Sequence, residues 1–507
     1  MNKNISSLEP LKGLTLVLVT IALALATFMQ VLDGTIANVA IPTISGSLGI
    51  SDDNGTWIVT SFSVANAISI PLTGWLAKRI GEVRLFFLAT IAFVIFSMLC
   101  GFSTSIDMLI LFRILQGFAA GPVIPLSQSL LLNNYPPEKR SMAMAFWVMT
   151  VIIAPVVGPI LGGYITTNYY WGWIFNINLV FGVIVILIGW PLLKNRETKI
   201  EVKPIDVFGL IFLAVGVGFL QIMLSSGQDD SWFQSNLIIA YTIISIIGIV
   251  LLLIWELTSD HPVIDFSLFK YRNFTLGTIL TSIVFLIYYG TVIIFPLVLE
   301  EALGYTSLWT GYALAPIGIL PVFLSPLIAI LIKKVDARLV IVFSFLVFTL
   351  TFWWRAVTLT SDSSFLVIIL PQFVQGLALS TFFIPLSMIS LDGIPPERMA
   401  EATGLFNFMR TLASAIGVAI FTFLWYRLSD IIHSDLVKNV NSHNHIYSAY
   451  SSVLKAFGFS TSQGLYYFNV EATYQSLIVA NNDMSFLSGA VILGLIVVVF
   501  FIKKHKY

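Results

Sequence analysis

The chain has 507 residues, of which 57% are hydrophobic and only 10% charged, proportions that a soluble fold cannot hide from water in ordinary cores. The bilayer is therefore read as its solvent. Its 26 basic residues balance 26 acidic ones, without the basic excess that nucleic acid would call for, and the one cysteine, Cys100, excludes an internal disulfide or a cysteine-based metal framework.

Lys3 and Lys12 precede an apolar stretch from Leu14 to Leu32 that contains Ala22, Ala24 and Ala26, a superficial likeness to a signal peptide. The stretch is too long for a signal core and the apolar sequence continues, so it reads as an uncleaved first helix. Runs long enough to cross a bilayer, which takes about 20 residues, fall near 14–34, 56–76, 85–102, 108–132, 141–166, 173–193, 205–225, 237–257, 274–297, 309–332, 339–357, 364–388, 401–425 and 485–502. The expected class is an all-α membrane protein with fourteen transmembrane helices. Short-loop cations fix the orientation. Lys78, Arg79, Arg84, Lys139, Arg140, Lys194, Lys203, Lys270, Lys333, Lys334, Arg398 and Lys506 share one side with Lys3 and Lys12, whereas Asp52, Asp53, Asp107, Asp229, Asp230, Glu300 and Glu301 fall on the other. Both termini are expected to be cytoplasmic. The long polar, aromatic segment at about 427–484 reads as an outer loop, either a disordered connector or a small periplasmic cap.

An internal repeat sets the architecture. Arg113-Ile-Leu-Gln-Gly117, Ile124-Pro-Leu-Ser127 and Pro136-Pro-Glu138 recur as Gln372-Phe-Val-Gln-Gly376, Ile384-Pro-Leu-Ser387 and Pro395-Pro-Glu397. The copies sit on helices four and twelve, eight spans apart and so in the same orientation. Two parallel six-helix bundles with an inserted two-helix hairpin satisfy that spacing, with boundaries expected at 1–203, 204–260 and 261–507. Parallel halves suit rocking-bundle transport.

Charges at bilayer depth cost about 2.5–3.5 kcal/mol on insertion scales and need a partner or a wet cavity. Asp33 at the end of the first span, Arg113 in the fourth and Arg410 in the thirteenth are such charges, and Gln30, Asn38 and Gln116 are polar at similar depth. Asp33 reads as a carboxylate that gains and loses a proton with Arg113 beside it, or as half of a static packing pair. Arg410 reads as a lining residue of the substrate cavity, with Gln30, Asn38 and Gln116, or as a snorkelling cation. In the fifth span, Gly158 and Gly162, and likewise Pro155 and Pro159, recur at four-residue spacing, with Gly163 adjacent. They predict either a close packing face or a bend lining a cavity between bundles. The loop carrying Gly74, Lys78, Arg79, Gly81 and Arg84 is a topology signal or a conformational latch.

Taken in order, Leu32-Asp-Gly-Thr-Ile-Ala-Asn-Val-Ala-Ile-Pro42, the Gly74 to Arg84 loop, Arg113-Ile-Leu-Gln-Gly117 and Gly158-Pro-Ile-Leu-Gly-Gly163 resemble the motif set of the major facilitator superfamily, specifically its fourteen-helix drug:proton antiporters. Phe28-Met-Gln-Val-Leu-Asp33, Gly55-Thr-Trp57, Tyr135-Pro-Pro-Glu138, Trp171-Gly-Trp-Ile-Phe175 and Arg410-Thr-Leu-Ala413 are similar to EmrB-type multidrug efflux subunits, the EmrB/QacA subfamily. The resemblance implies proton coupling at Asp33 and Arg113 and an antiporter motif at Gly158, Pro159 and Gly162. It also implies inner-membrane location, lipophilic drug-like substrates exchanged for protons, a periplasmic adaptor of the EmrA-like membrane fusion class and a TolC-like outer-membrane channel. Lys78 departs from the superfamily loop, which usually carries Asp at that place, so a latch built on that carboxylate is not expected here.

No phosphate-cradling G-x-x-x-x-G-K-[ST] sequence supports ATP hydrolysis, and no H-E-x-x-H supports a metalloenzyme. Neither a cofactor nor a metal is expected. His443 and His445 could bind metal but read more simply as parts of a solvated loop, while His261 is interfacial and His505 lies in the tail. The expected function is proton-driven multidrug efflux; a transporter for one metabolite, siderophore or fatty acid, and a membrane enzyme or sensor, are the alternatives.

Overall fold

The computed structural model describes all residues except 1–9, 202, 203, 205, 260, 439, 441–443 and 505–507. Lys3, Lys203, Lys506, His443 and His505 therefore lie outside the described residues, as do the side chains of Asp52 and Asp53. Among the described residues, thirteen helices are long and apolar enough to cross a membrane, and a bent pair makes a fourteenth. They are α1 (Gly13–Leu48), α2 (Trp57–Ser69 with Thr73–Ile80), α3 (Glu82–Gly101), α4 (Ile106–Asn134), α5 (Pro137–Asn168), α6 (Trp173–Leu193), α7 (Val207–Ser226), α8 (Asn236–Thr258), α9 (Arg272–Ala302), α10 (Leu308–Leu331), α11 (Ala337–Thr358), α12 (Phe365–Leu391), α13 (Pro396–Val437) and α14 (Thr461–Val499). The two pieces of α2 meet at 61°. Pro71 lies in the break, where a missing N–H and a clashing ring interrupt the hydrogen-bond ladder.

Helix packing repeats with a step of eight. In the first half α1 packs on α5 and α6, α2 on α4, and α3 on α4 and α6; in the second, α9 packs on α13 and α14, α10 on α12, and α11 on α12 and α14. The inserted hairpin, α7 with α8, lies against α2 through α7. The repeated Gln-Gly pairs do the same work in both copies. A Cβ on Gly117 would come 2.5 Å from the Phe62 carbonyl oxygen of α2, and one on Gly376 would come 2.5 Å from the Ile317 carbonyl oxygen of α10. Only glycine permits either approach. The fold is thus the major facilitator architecture, two parallel six-helix bundles with a two-helix insertion.

Two elements differ from the sequence reading. The carboxylate of Asp33 does not end α1, which runs 36 residues without interruption. Apolarity falls at Asp33, but a partnered carboxylate leaves the backbone ladder intact. The described part of 427–484 is helical rather than a disordered connector. α13 runs to Val437, a short helix spans His445–Ala456, and α14 begins at Thr461 behind a Ser460–Gln463 capping box. The polar composition hid these helices because hydropathy marks the bilayer, whereas capping and propensity carry a helix beyond it.

Several contacts between the halves lie near the ends that carry the basic loops. Lys78 of α2 pairs with Glu401 of α13, and Arg398 binds Asp265 at 2.6 Å and Glu401 at 3.3 Å. Nearby, Ser141 donates to the Ala329 carbonyl at 2.9 Å and Asn407 donates to Gln128 Oε1 at 2.8 Å.

Candidate coupling site

Asp33 is fully buried, with its carboxylate enclosed by donors from two other helices. Arg113 Nη1 of α4 donates to Oδ2 at 2.7 Å, while Gln116 Nε2 and Asn178 Nδ2 donate to Oδ1 at 3.0 and 2.6 Å. The residues 113 and 116 lie one turn apart on α4 and so share a face. Arg113 is fastened in turn: Nε donates to the Ile58 carbonyl at 3.0 Å, Nη1 also reaches Gln116 Oε1 at 2.8 Å, and the guanidinium lies 4.1 Å above the Phe62 ring. Asn178 of α6 donates as well to Ser97 Oγ of α3 at 2.9 Å, and Ser97 donates to the Phe175 carbonyl at 2.8 Å. Cys100, the one thiol, lies 3.6 Å from Gln116 Oε1 and closes the cluster.

Five helices of the first bundle therefore converge on one carboxylate. Removing one partner of such a buried pair strands the other charge, at about 3–5 kcal/mol. A proton on Asp33 would cancel one charge and leave Arg113 uncompensated. This coupling of protonation to helix packing is the chemical capacity of the arrangement.

The remaining residues fall in several places. Gln116, expected in a substrate cavity, belongs to the Asp33 cluster. Gln30 is buried on α1, its amide 3.5 Å from Asn66 Oδ1 and its own carbonyl oxygen without a hydrogen-bond partner among the described residues; Asn38 is exposed. Gly158 and Gly162 face α1: a Cβ on Gly158 would meet Thr35, and one on Gly162 would lie 3.0 Å from the Ile36 carbonyl oxygen. The glycines thus form a close-packing seam within the first bundle, two to three residues from Asp33. Pro155 and Pro159 stand inside a continuous helix, half-buried, and Gly163 has open space at its Cβ position.

In the basic loop, Gly81 has φ +100° and faces the Glu197 carboxylate, which accepts the backbone N–H groups of Val83 and Arg84 at 3.0 and 2.9 Å. Glu197 therefore caps α3 and neutralises its N-terminal dipole. Gly74 sits against the backbone of Glu401, and Arg79 lies over the Trp75 ring at 5.6 Å. Arg410 is buried, its guanidinium 5.1 Å from the Phe285 ring centre and 5.5 Å from that of Phe383. Asn178 escaped the sequence reading. Its signal was one of two amides, Asn176 and Asn178, in the otherwise apolar run of α6.

A two-bundle helical membrane protein with a buried acid and arginine joining the first and fourth helices is a secondary transporter by architecture. The profile of the Major Facilitator Superfamily matches residues 23–418. The multidrug export protein EmrB of Haemophilus influenzae is 51% identical over 503 residues, 99% of each chain. EmrB of Escherichia coli K12 is 51% identical over 98% of this chain and 97% of its own. A crystal structure of the peptide transporter POT shares the fold, with a TM-score of 0.60 at 13% identity, over 99% of this chain and all of that one. The chain belongs to the major facilitator superfamily, within its EmrB-type branch.

Proposed function

We propose that this multidrug efflux transporter is driven by protons that bind and leave Asp33. The observation carrying the reading is the fully buried Asp33–Arg113 pair, held at 2.7 Å and braced by Gln116 and Asn178. Lipophilic compounds enter a path between the bundles from the cytoplasm or inner leaflet. Proton arrival at Asp33 from the outer side frees Arg113, loosens α1 against α4 and α6, and releases the compound outward. The electrical part of the proton gradient supplies about 2.3 kcal/mol per charge per 100 mV.

In this reading the protein lies in the inner membrane with both termini cytoplasmic, and the Lys78–Glu401 pair closes the cytoplasmic side between the bundles, with Arg398 bracing Glu401 and Asp265 within the second. Lys78 takes the latch role with its sign reversed, seeking a carboxylate on the other bundle. A periplasmic adaptor and an outer-membrane channel complete the export route.

The test is proton flux on adding substrate to proteoliposomes, comparing the native chain with Arg113→Met. The proposal expects substrate-dependent flux in the native chain and at least a tenfold loss in the variant at equal reconstitution. Undiminished coupled flux in the variant would refute a role for the pair.

A further inference from the structure

The inserted hairpin carries two buried acids at its base, where the start of α7 meets the end of α8. Asp206 stands immediately before α7 and Glu256 in the last turn of α8, 8% and 5% exposed. One oxygen of each is engaged. Asp206 Oδ1 accepts the Gly209 N–H at 2.9 Å and the Trp255 Nε1–H at 2.8 Å, and Glu256 Oε2 accepts the Ile264 N–H at 3.1 Å. The other two oxygens, Asp206 Oδ2 and Glu256 Oε1, are buried without a hydrogen-bond partner among the described residues. Both face Gly209, where a Cβ would lie 2.5 Å from the first and 3.0 Å from the second. The two oxygens therefore converge on the space that this glycine leaves open.

No cation answers them. Neither acid has an ion pair among the described residues, and the charges acting on Glu256 are those of Asp206 and Asp265, both acidic. The cations beyond Asp265 are engaged elsewhere, Arg398 of α13 with Asp265 and Glu401, and Lys78 of α2 with Glu401. Two buried carboxylates around one point resist joint ionisation, and each oxygen without a donor adds its own penalty. A single proton relieves both costs, because it cancels one charge and supplies the missing bond, an O–H of one acid donating to the oxygen of the other. Among the described residues no group of three or more acidic, histidine or cysteine side chains is arranged to hold a metal, so the donor set suits a proton better than a divalent cation.

We propose that Asp206 and Glu256 form a second proton-binding site, a carboxyl–carboxylate pair that shares one proton and clamps the base of the hairpin to the 263–265 segment. The proton belongs to the pair rather than to either residue. Ile264, held by Glu256, precedes Asp265, the partner of Arg398, so the clamp ties the hairpin to the ion pairs at that end of the bundles. Loss of the proton at alkaline pH leaves two like charges facing each other and opens the clamp. The site is separate from Asp33 and does not depend on the antiport reading.

The test is amide hydrogen exchange in the detergent-purified full chain at pH 6 and pH 9, followed in peptides spanning 206–212 and 262–267 and corrected for the intrinsic exchange rate. The native chain is expected to lose protection about tenfold or more at the higher pH. Glu256→Gln and Asp206→Asn each put an amide N–H where the shared proton lies, and each is expected to hold its protection within about twofold over that range. The double variant sets two N–H donors against each other, since the accepting oxygens are already engaged, and is expected to be less protected than either single variant at both pH values. Equal protection of the native chain at the two pH values would overturn the proposal, and this arm needs no variant to fold. So would single variants that keep the native pH response, or a double variant as well protected as the singles. Native protection that follows added sodium or magnesium instead of pH would overturn it in favour of a metal site.

Discussion

Asp33 shows what a single residue can hold together. Its two oxygens receive three side-chain donors from α4 and α6, so the side chain is a junction rather than an isolated charge. Sequence reading singled out Asp33 and Arg113 because charged groups stand out in apolar helices and must be compensated, but it assigned Gln116 to a substrate cavity instead. It did not reach Asn178, since only the fold brings α6 beside α1. Asn178 offers a graded test. Replacing it with Ala removes one of the two donors to Oδ1 while leaving the Arg113 pair, and a lost hydrogen bond to a charged group costs about 1.5–3 kcal/mol. Asn178→Ala is expected to slow substrate-coupled transport with assembly retained, read from initial rates at equal reconstitution. Unchanged rates would mean that Asn178 only packs.

At the scale of the element, glycines mark where helices meet. A Cβ on Gly158 would run into Thr35, and the related α9–α13 seam has Gly417 against the Leu286 carbonyl. Overpacking such a seam costs about 1–3 kcal/mol. Gly158→Val is therefore expected to lower the thermal unfolding temperature of the purified chain, whereas Gly163→Ala, with open space at Cβ, leaves it unchanged. The sequence displayed this four-residue glycine spacing but left open whether it served packing or a cavity, because spacing names a face and not what the face touches. The basic loop behaves similarly. Its cations were legible, yet Glu401, some 300 residues away, was not. If Lys78 and Glu401 form the cytoplasmic latch, Lys78→Glu and Glu401→Lys each impair transport, and the charge-swapped double variant recovers part of it. The same network gains from Asp265, for which burial pushes the carboxyl upward but bonds from Ser267 and the charge of Arg398 outweigh it, leaving it below its ordinary range. A depressed folded-state value means the contact contributes fully above the unfolded value and is lost only as pH falls through the folded one. The Arg398–Asp265 contact is thus expected to persist at neutral and mildly acidic pH.

For the whole molecule, the recurring polar landmarks on helices four and twelve foretold parallel halves, and packing reproduces them pair by pair, with Gly117 and Gly376 against equivalent carbonyls. The repeat is structural, but the chemistry is not repeated: Arg113 in the first copy is matched by Gln372 in the second. One bundle thus holds the buried acid–base pair, and the other holds Arg355 and Arg410, neither ion-paired with a carboxylate among the described residues. Polar composition concealed the helical continuation of α13 and α14, since a span search stops where apolarity stops. On the proposed mechanism, the asymmetry of the halves makes the first bundle the proton-handling one. The measurement that bears on this most directly is pH-gradient-driven transport in proteoliposomes, comparing the native chain with Asp33→Asn, which keeps the shape but cannot ionise and replaces one accepting oxygen by an N–H donor. The account predicts substrate-coupled proton flux in the native chain and none in the variant, with binding retained; undiminished coupled flux in Asp33→Asn would contradict it.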